Sequence, residues 1–413
     1  MARTKEIAHE YRLMIIGVLW TAYVVIYLQR LSIGPLAPFL KEDMGITSTQ
    51  VGSLMSATSF GYLLVIVPAG WAADRIGVRW LLVIGELVGG ILIVGMFFSP
   101  SYWRALTIMT MVGFGSGCLM PATTKAVMTW FPMRERATAM GFKQTGVNVG
   151  GIITAMALPA VALALGWRFG FLFIAILAIA IGIFSFVMYK DPPMPAAPRS
   201  MHRAAHTDIA RPAMGQLLIE LLTSRDIWLV AIAGFALVLV EFAVIAHLVL
   251  YLTEALLFPV VAAGVILAVT EAGGALGKPG GGFLSDRFFG GSRRTVYILW
   301  GGIACAMCIL ITLWGATLSW ALYPILFTLG VTSIGWGGVH LTLVAELAGS
   351  ELVGTATGVV SVITVVGMIL GPILFGYIVD ASDSYQLAWL SLTVFAAICV
   401  AALLFVREER RRI

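Results

Sequence analysis

The sequence predicts an all-α membrane protein whose twelve transmembrane helices form two six-helix bundles. Three observations carry that prediction. Of the 413 residues, 60% are hydrophobic and only 11% charged, with a mean hydropathy of +0.97, where a soluble domain carries about 25% charged residues. Apolar runs long enough to cross a hydrocarbon core of about 30 Å recur along the whole chain. A short charged turn between two such runs, Gly70 to Trp80, returns loosely about half a chain length later as Gly282 to Arg294. A repeat at that spacing describes a chain built twice from one plan.

The apolar runs fall at residues 12–41, 50–73, 78–99, 104–130, 137–163 and 167–189, and again at 227–256, 261–285, 295–317, 320–347, 354–379 and 386–406. Between the sets lies a polar, proline-containing segment with Asp191-Pro192-Pro193-Met194-Pro195 and basic residues from Arg199 to Arg211, which reads as a linker. The domains are therefore a first bundle over 1–189, a cytoplasmic linker over 190–226 and a second bundle over 227–413. With the N-terminus inside, the inner segments hold nineteen arginines and lysines, among them Arg75, Arg136, Lys190 and Arg294. The outer segments hold Lys41, Arg104 and Arg168 alone. That bias places both termini and the linker in the cytoplasm of a bacterial-type plasma (inner) membrane.

The net charge of +5 then belongs to cytoplasmic loops and not to a nucleic-acid surface. Cys118, Cys305, Cys308 and Cys399 all lie in apolar runs. The CxxC spacing of Cys305 and Cys308 lacks the water access and further ligands that redox or metal chemistry needs, so these are read as packing residues. The first apolar run begins near Leu13 and outlasts a signal peptide, so no cleavable leader is expected. No metal or cofactor is expected, and a monomer in the bilayer is.

The turn residues Gly70, Asp74, Arg75, Gly77 and Arg79 fit the G-x-x-x-D-R-x-G-x-[RK] signature, and Asp286-Arg287 echoes it in the equivalent loop of the second half. On these residues the chain resembles a major facilitator superfamily transporter over nearly its whole length. The resemblance implies two bundles rocking about a midplane site, with the turns as a conformational latch. Gly70 would allow close helix approach, and Asp74 could face the positive end of a neighbouring helix. Several pieces resemble the anion:cation symporter branch, which moves organic anions. Tyr27-Leu28-Gln29-Arg30 is similar to a Tyr-x-Asp-Arg sequence there, joined by Pro121, Trp130-Phe131-Pro132, Glu135-Arg136 and Gly166-Trp167-Arg168. Gln29 replaces the usual acidic residue, and Met109 an arginine often found early in span four. Both positions are associated with proton coupling in relatives, so the resemblance does not supply the coupling route.

An ionisable side chain at the bilayer centre costs about 2.5–3.5 kcal/mol on insertion scales and marks a site. Arg30 lies well inside span one with Tyr27 and Tyr23 on the same helix face, a fixed cation beside two phenols that suits a carboxylate. Span five carries Lys143 and Asn148, both candidate substrate contacts, and span eight, which the resemblance places opposite it, carries Glu271 and Lys278, candidates for proton coupling or gating, on one face. A Lys143–Glu271 pair that forms in one state and breaks in another is expected; Lys125 and Lys278 are expected to snorkel. Glu241, about midway along span seven, and Glu271 are the expected proton carriers. Glu86 is read as structural, His247 as packing. Span ten sets Ser333, Trp336 and His340 on one stripe, with Trp336 and His340 as candidate substrate contacts.

The predicted function is proton-coupled uptake of a small organic anion, a monocarboxylate, hydroxycarboxylate or sugar acid, by alternating access, with protons (or sodium) as the coupling ion. The alternatives are a proton-driven exporter of drugs or metabolites and an inorganic anion porter. Drug antiporters commonly show G-P-x-x-G-G in span five, where this chain has Gly146-Val147-Asn148-Val149-Gly150-Gly151. Nitrate porters hold arginines inside spans two and eight, and this chain holds none there. No enzyme motif of the HExxH, G-x-S-x-G or phosphate-loop type is present, and Gly113 to Gly117 reads as helix packing. A sensor built on the same fold would need an appended signalling domain.

Overall fold

Backbone groups in hydrocarbon must satisfy one another, which an apolar run does by becoming a helix. This computed structural model describes residues 2–191, 222–315, 317 and 319–407. Among them twelve helical spans are long and apolar enough to cross a membrane. Spans one to six are Tyr11–Met44, Ser48–Ile76, Val78–Phe98, Tyr102–Trp130, Thr138–Leu165 and Trp167–Met188. Spans seven to twelve are Arg225–Glu254, Val260–Phe288, Arg293–Trp314, Leu322–Gly349, Leu352–Ser382 and Tyr385–Leu404. Most of the 190–226 linker lies outside the described residues, as do Arg199, Arg203, Arg211 and Arg410 to Arg412.

The two halves repeat in their packing. In the first, span one packs on five, two on four and three on six; in the second, seven packs on eleven, eight on ten and nine on twelve. The repeated turn has a repeated job. Gly77 takes a φ of +87°, a conformation that favours glycine, and Asp191 caps the helix that follows, accepting from the N–H of Val78 at 3.1 Å and of Arg79 at 3.3 Å. The Arg79 guanidinium donates to the Phe186 carbonyl at the end of span six. In the second half Arg294 donates to the carbonyls of Leu403 and Leu404 at the end of span twelve, at 2.8 and 2.7 Å. Within the first bundle, the run Gly113 to Gly117 does pack helices: a Cβ at Gly113 would collide with the Thr58 carbonyl of span two, and one at Gly115 with the Gly85 carbonyl of span three. Exposed apolar side chains such as Val67, Ile91, Leu163 and Ile176 cover the outside of the spans, a surface suited to lipid.

The bundles meet along spans one and seven, two and eleven, and five and eight. Their contact is polar and tight at the face opposite the repeated turns. There Asp380 of span eleven accepts from the Ser48 N–H at 2.9 Å, the Thr49 N–H at 2.7 Å and the Thr49 hydroxyl at 2.5 Å. A carboxylate of one bundle thus caps the first turn of a helix in the other, where the helix dipole also favours it. Lys41 pairs with Glu254 at 3.0 Å, Tyr385 donates to the same carboxylate, and the Ser56 hydroxyl donates to the Ile369 carbonyl at 2.6 Å. At the turn face, Gly70, Gly354 and Gly358 each face open space, and a cavity of about 460 Å³ lies between spans two and four beside Gly70, Asp74, Met120 and Lys125. The bundles are clasped at the distal face, and the cavity at the turn face lies within the first bundle.

Removing the Asp380 clasp by Asp380→Ala should cost about 1–2 kcal/mol of distal closure, as loss of a helix cap does, shifting the equilibrium roughly five- to thirty-fold. The check is maleimide labelling of a cysteine placed at Ser56, buried under the clasp; labelling no faster than in the parent would mean that Asp380 does not hold this face shut.

Candidate functional site

The first helix of span one ends at Arg30, and the chain resumes as a helix only at Ile33. The break sets a cation at a helix C-terminus, where the dipole favours it, and well inside the first bundle. Arg30 is 95% buried, at 5% exposure, yet it has no carboxylate within ion-pair reach among the described residues. Nη2 makes one long hydrogen bond to Ser59 Oγ, 3.4 Å, and Nε has no partner. The guanidinium lies instead over two phenol rings, 4.9 Å from the centre of Tyr62 and 5.4 Å from that of Tyr27. Such contacts are worth about 2 kcal/mol when desolvated, enough to position a guanidinium while Nε stays unused.

Tyr23, Tyr27 and Arg30, predicted to share a face, do line one cavity, with Tyr62, Ser116 and Gln144 opposite. Its volume is about 50 Å³, room for a water or two and no more. Tyr62 of span two, Ser116 of span four and Gln144 of span five were not read from the sequence. None has a spacing that points at Arg30.

The second bundle brings its two carboxyls toward the same centre. Glu241 accepts from the Trp336 indole N–H at 2.9 Å. Trp336 can reach it because span ten breaks: the helix Leu322–Ser333 stops, Ile334 to Trp336 form a turn, and a new helix starts at Gly337. Gly335 in that turn packs directly on Gly277 of span eight. Glu271 accepts from Asn148 Nδ2 at 3.0 Å, and Lys278 Nζ donates to Asn148 Oδ1 at 2.7 Å.

The other predicted residues have the following partners in this conformation. Lys143 is not paired with Glu271 here; it is wholly buried, donates to Thr123 Oγ1 at 3.1 Å and stands 4.3 Å from the centre of the Tyr23 ring. It neither lines the cavity nor snorkels. Of the two lysines expected to snorkel, Lys278 instead turns inward to Asn148, while Lys125 reaches the exposed turn, binding the Ala73 carbonyl and pairing with Asp74 at 2.8 Å. Asp74 therefore faces an ammonium and not a helix end. Asn148, expected at the substrate, has both ends of its amide bonded to span eight. His340 lies in a packed layer with Trp336 and Tyr297, its Nδ1 3.3 Å from the Tyr297 hydroxyl. His247 bonds the Pro372 carbonyl, and Glu86 is buried with the Ser185 hydroxyl 3.1 Å from one oxygen.

The turn residues make their contacts within their own halves. Arg75 lies over Trp71, and Asp286 pairs with Arg293 at 2.7 Å, which also reaches Glu346; Arg287 is exposed. In this conformation the two turns are not joined to each other by these contacts.

Residues 19–364 match the Major Facilitator Superfamily, and the chain belongs to it. It is a membrane transporter by family, not an enzyme. The chain is 27% identical over 412 residues to a probable sulfoacetate transporter of Cupriavidus necator, covering 96% of this chain and 94% of that one. It is 26% identical over 398 residues to a hexuronate transporter of Bacillus subtilis, covering 94% of each. Among solved structures it superposes with a TM-score of 0.81 on a bacterial homologue of the human lysosomal transporter Spinster in an inward-facing and unoccupied conformation. That match covers 96% of this chain and 97% of the other at 18% identity, and is a likeness of fold.

The buried ammonium gives a stability test. Thr123→Val leaves Lys143 without its acceptor and should cost about 1–3 kcal/mol, whereas Lys143→Met, of similar shape and uncharged, should not lower the melting temperature of the purified protein. The reverse order would contradict this account of the pair.

Proposed function

We propose that this protein takes up a small organic anion, a carboxylate or sulfonate, together with protons. The observation that carries the reading is Arg30: a buried guanidinium whose Nε has no partner, whose Nη2 makes one long hydrogen bond, and whose plane lies over tyrosines. A carboxylate or sulfonate offers oxygens at the spacing a guanidinium fork binds in two-pronged fashion. Tyr23, Tyr27, Tyr62 and Gln144 add donors for hydroxyls or further oxygens of the substrate, and Lys143 behind Tyr23 adds positive potential. Relatives named for sulfoacetate and for hexuronates support an anionic substrate with either head group.

Glu241 and Glu271 are the proposed proton carriers, with Lys278 between them and Trp336 orienting Glu241. The 50 Å³ cavity is then a contracted form of the site, which widens as a substrate displaces the tyrosines. The turn face is taken as cytoplasmic, in keeping with the basic residues of the turns, so the clasped distal face is the outer one and this conformation is the inward-facing one. The Gly70, Asp74, Arg75, Gly77 and Arg79 turn and the Asp286-Arg287 turn form the latch that closes that side in the opposite state. The working unit is a monomer of two bundles, 1–189 and 227–413, in a bacterial inner membrane.

Uptake into proteoliposomes of a panel of labelled carboxylates, sulfonates and inorganic anions, with and without an inward proton gradient, tests this reading. Carboxylates or sulfonates should enter, faster with the gradient; competition by lipophilic cations and by no anion would refute it. Glu241→Gln should abolish gradient-driven uptake and spare counterflow, and loss of both would make Glu241 structural. Arg30→Gln should weaken binding by about 1.5–3 kcal/mol, the worth of a hydrogen bond to a charged group.

A further inference from the structure

Asn148 belongs to the first bundle, and its side chain is bonded wholly to the second. Nδ2 donates to the Glu271 carboxyl at 3.0 Å and toward the Glu271 backbone carbonyl at 3.3 Å, while Oδ1 accepts from the Lys278 ammonium at 2.7 Å. One turn further along span five, Gly151 leaves the space the Glu271 carboxyl fills: a Cβ there would stand 2.6–2.9 Å from the carboxyl atoms. Asn148 has no exposure, Glu271 is 2% exposed, and Glu271 Oε1 is buried with no hydrogen-bond partner. Glu271 and Lys278 share one face of span eight two turns apart. A helical side chain leans back toward the N-terminus of its helix, so Lys278 extends along span eight toward Glu271, and the amide of Asn148 stands between them.

The two acids differ in one respect. The donor to Glu241 is Trp336, on its own bundle, and moves with it. The donor to Glu271 comes from the opposite bundle. Rocking the bundles leaves the first bond as it is and changes the second.

We propose that Asn148 is a partner-exchange residue that links the protonation of Glu271 to the movement of the bundles. In the conformation clasped at the distal face it holds Glu271, carrying a proton, apart from Lys278. When the bundles rock, Asn148 withdraws, the Lys278 ammonium moves onto the Glu271 carboxylate, and the carboxyl proton leaves to water in the cavity. The ammonium keeps its three protons throughout, and the return of Asn148 reverses each step. The other charged or titratable groups around this centre are Glu241 on span seven, and Arg30 and Tyr27 on span one. They sit on spans one and seven, outside the seam between five and eight. The inference rests on the proton-coupled reading above and names Asn148 as a positioning residue that acts through Glu271.

The test uses the full-length protein in proteoliposomes with labelled sulfoacetate and labelled glucuronate as probes. Asn148→Ala should retain counterflow at equal pH and lose gradient-driven uptake by about tenfold or more, the effect of losing a hydrogen bond to a charged group. Its pH profile of net uptake should also move from that of the parent. In a Glu271→Gln background, Asn148→Ala should add nothing, because the two residues act as one unit. An unchanged pH profile and gradient response in Asn148→Ala, or effects that add in the double variant, would overturn the inference with the anion reading intact. Loss of counterflow in a folded Asn148→Ala protein would also overturn it, returning Asn148 to the substrate site. Failure of the parent to exchange either anion would sink the anion reading first, and the inference with it.

Discussion

A guanidinium buried in the middle of a membrane protein is expensive, and this chain keeps Arg30 there without a carboxylate beside it. The neighbours compensate only in part. A helix C-terminus supplies partial negative charge, Tyr27 and Tyr62 present their ring faces, and Ser59 offers one long hydrogen bond. Nε remains without a partner, and the proposed ligand with two oxygens would supply one. Much of the architecture can be understood as support for that arrangement: the break of span one after Arg30 positions the cation, and glycines at 113 and 115 draw span four close enough to complete the cavity wall.

The second bundle answers with acids, and the way it holds them matters as much as their presence. Span ten breaks in mid-membrane so that an indole can reach Glu241, and span eight carries Glu271 and Lys278 against span five. Among the described residues neither acid is in a direct ion pair; each accepts from a neutral donor, Trp336 or Asn148. A direct lysine–carboxylate pair at this depth would hold its charges firmly and resist rearrangement. Neutral bridging groups leave the acids and the ammonium free to change partners. The distal clasp at Asp380 uses a different device, a helix cap exposed at the rim, suited to being made and broken as that face closes and opens.

The fold was legible because hydrocarbon permits so few structures. Runs of apolar residues of span length, a bias of arginine and lysine, and one repeated turn left little choice of architecture, and the placement of Arg30 with Tyr23 and Tyr27 followed from helical spacing alone. The partners of the buried charges were not legible. Lys143 and Glu271 attract on paper, but the contact depends on the rotation of span five about its axis, which turns Lys143 toward Thr123 and Asn148 toward span eight. Tyr62 escaped notice for a related reason: nothing local distinguishes a tyrosine that faces a cavity from one that faces lipid. The turn at Gly70 identified the family, yet its own contacts, Asp74 with Lys125 and Arg79 with the end of span six, came from residues far away in sequence.

The central claim is that Arg30 is the anion-binding group of the site, and equilibrium binding of a labelled carboxylate to the purified protein tests it without any assumption about coupling. Arg30→Lys keeps the charge and loses the fork, while Arg30→Gln loses both. The account predicts saturable binding to the parent, weaker binding to Arg30→Lys and the weakest, by about 1.5–3 kcal/mol relative to the parent, to Arg30→Gln in a protein that remains folded. Equal affinity in all three would contradict it.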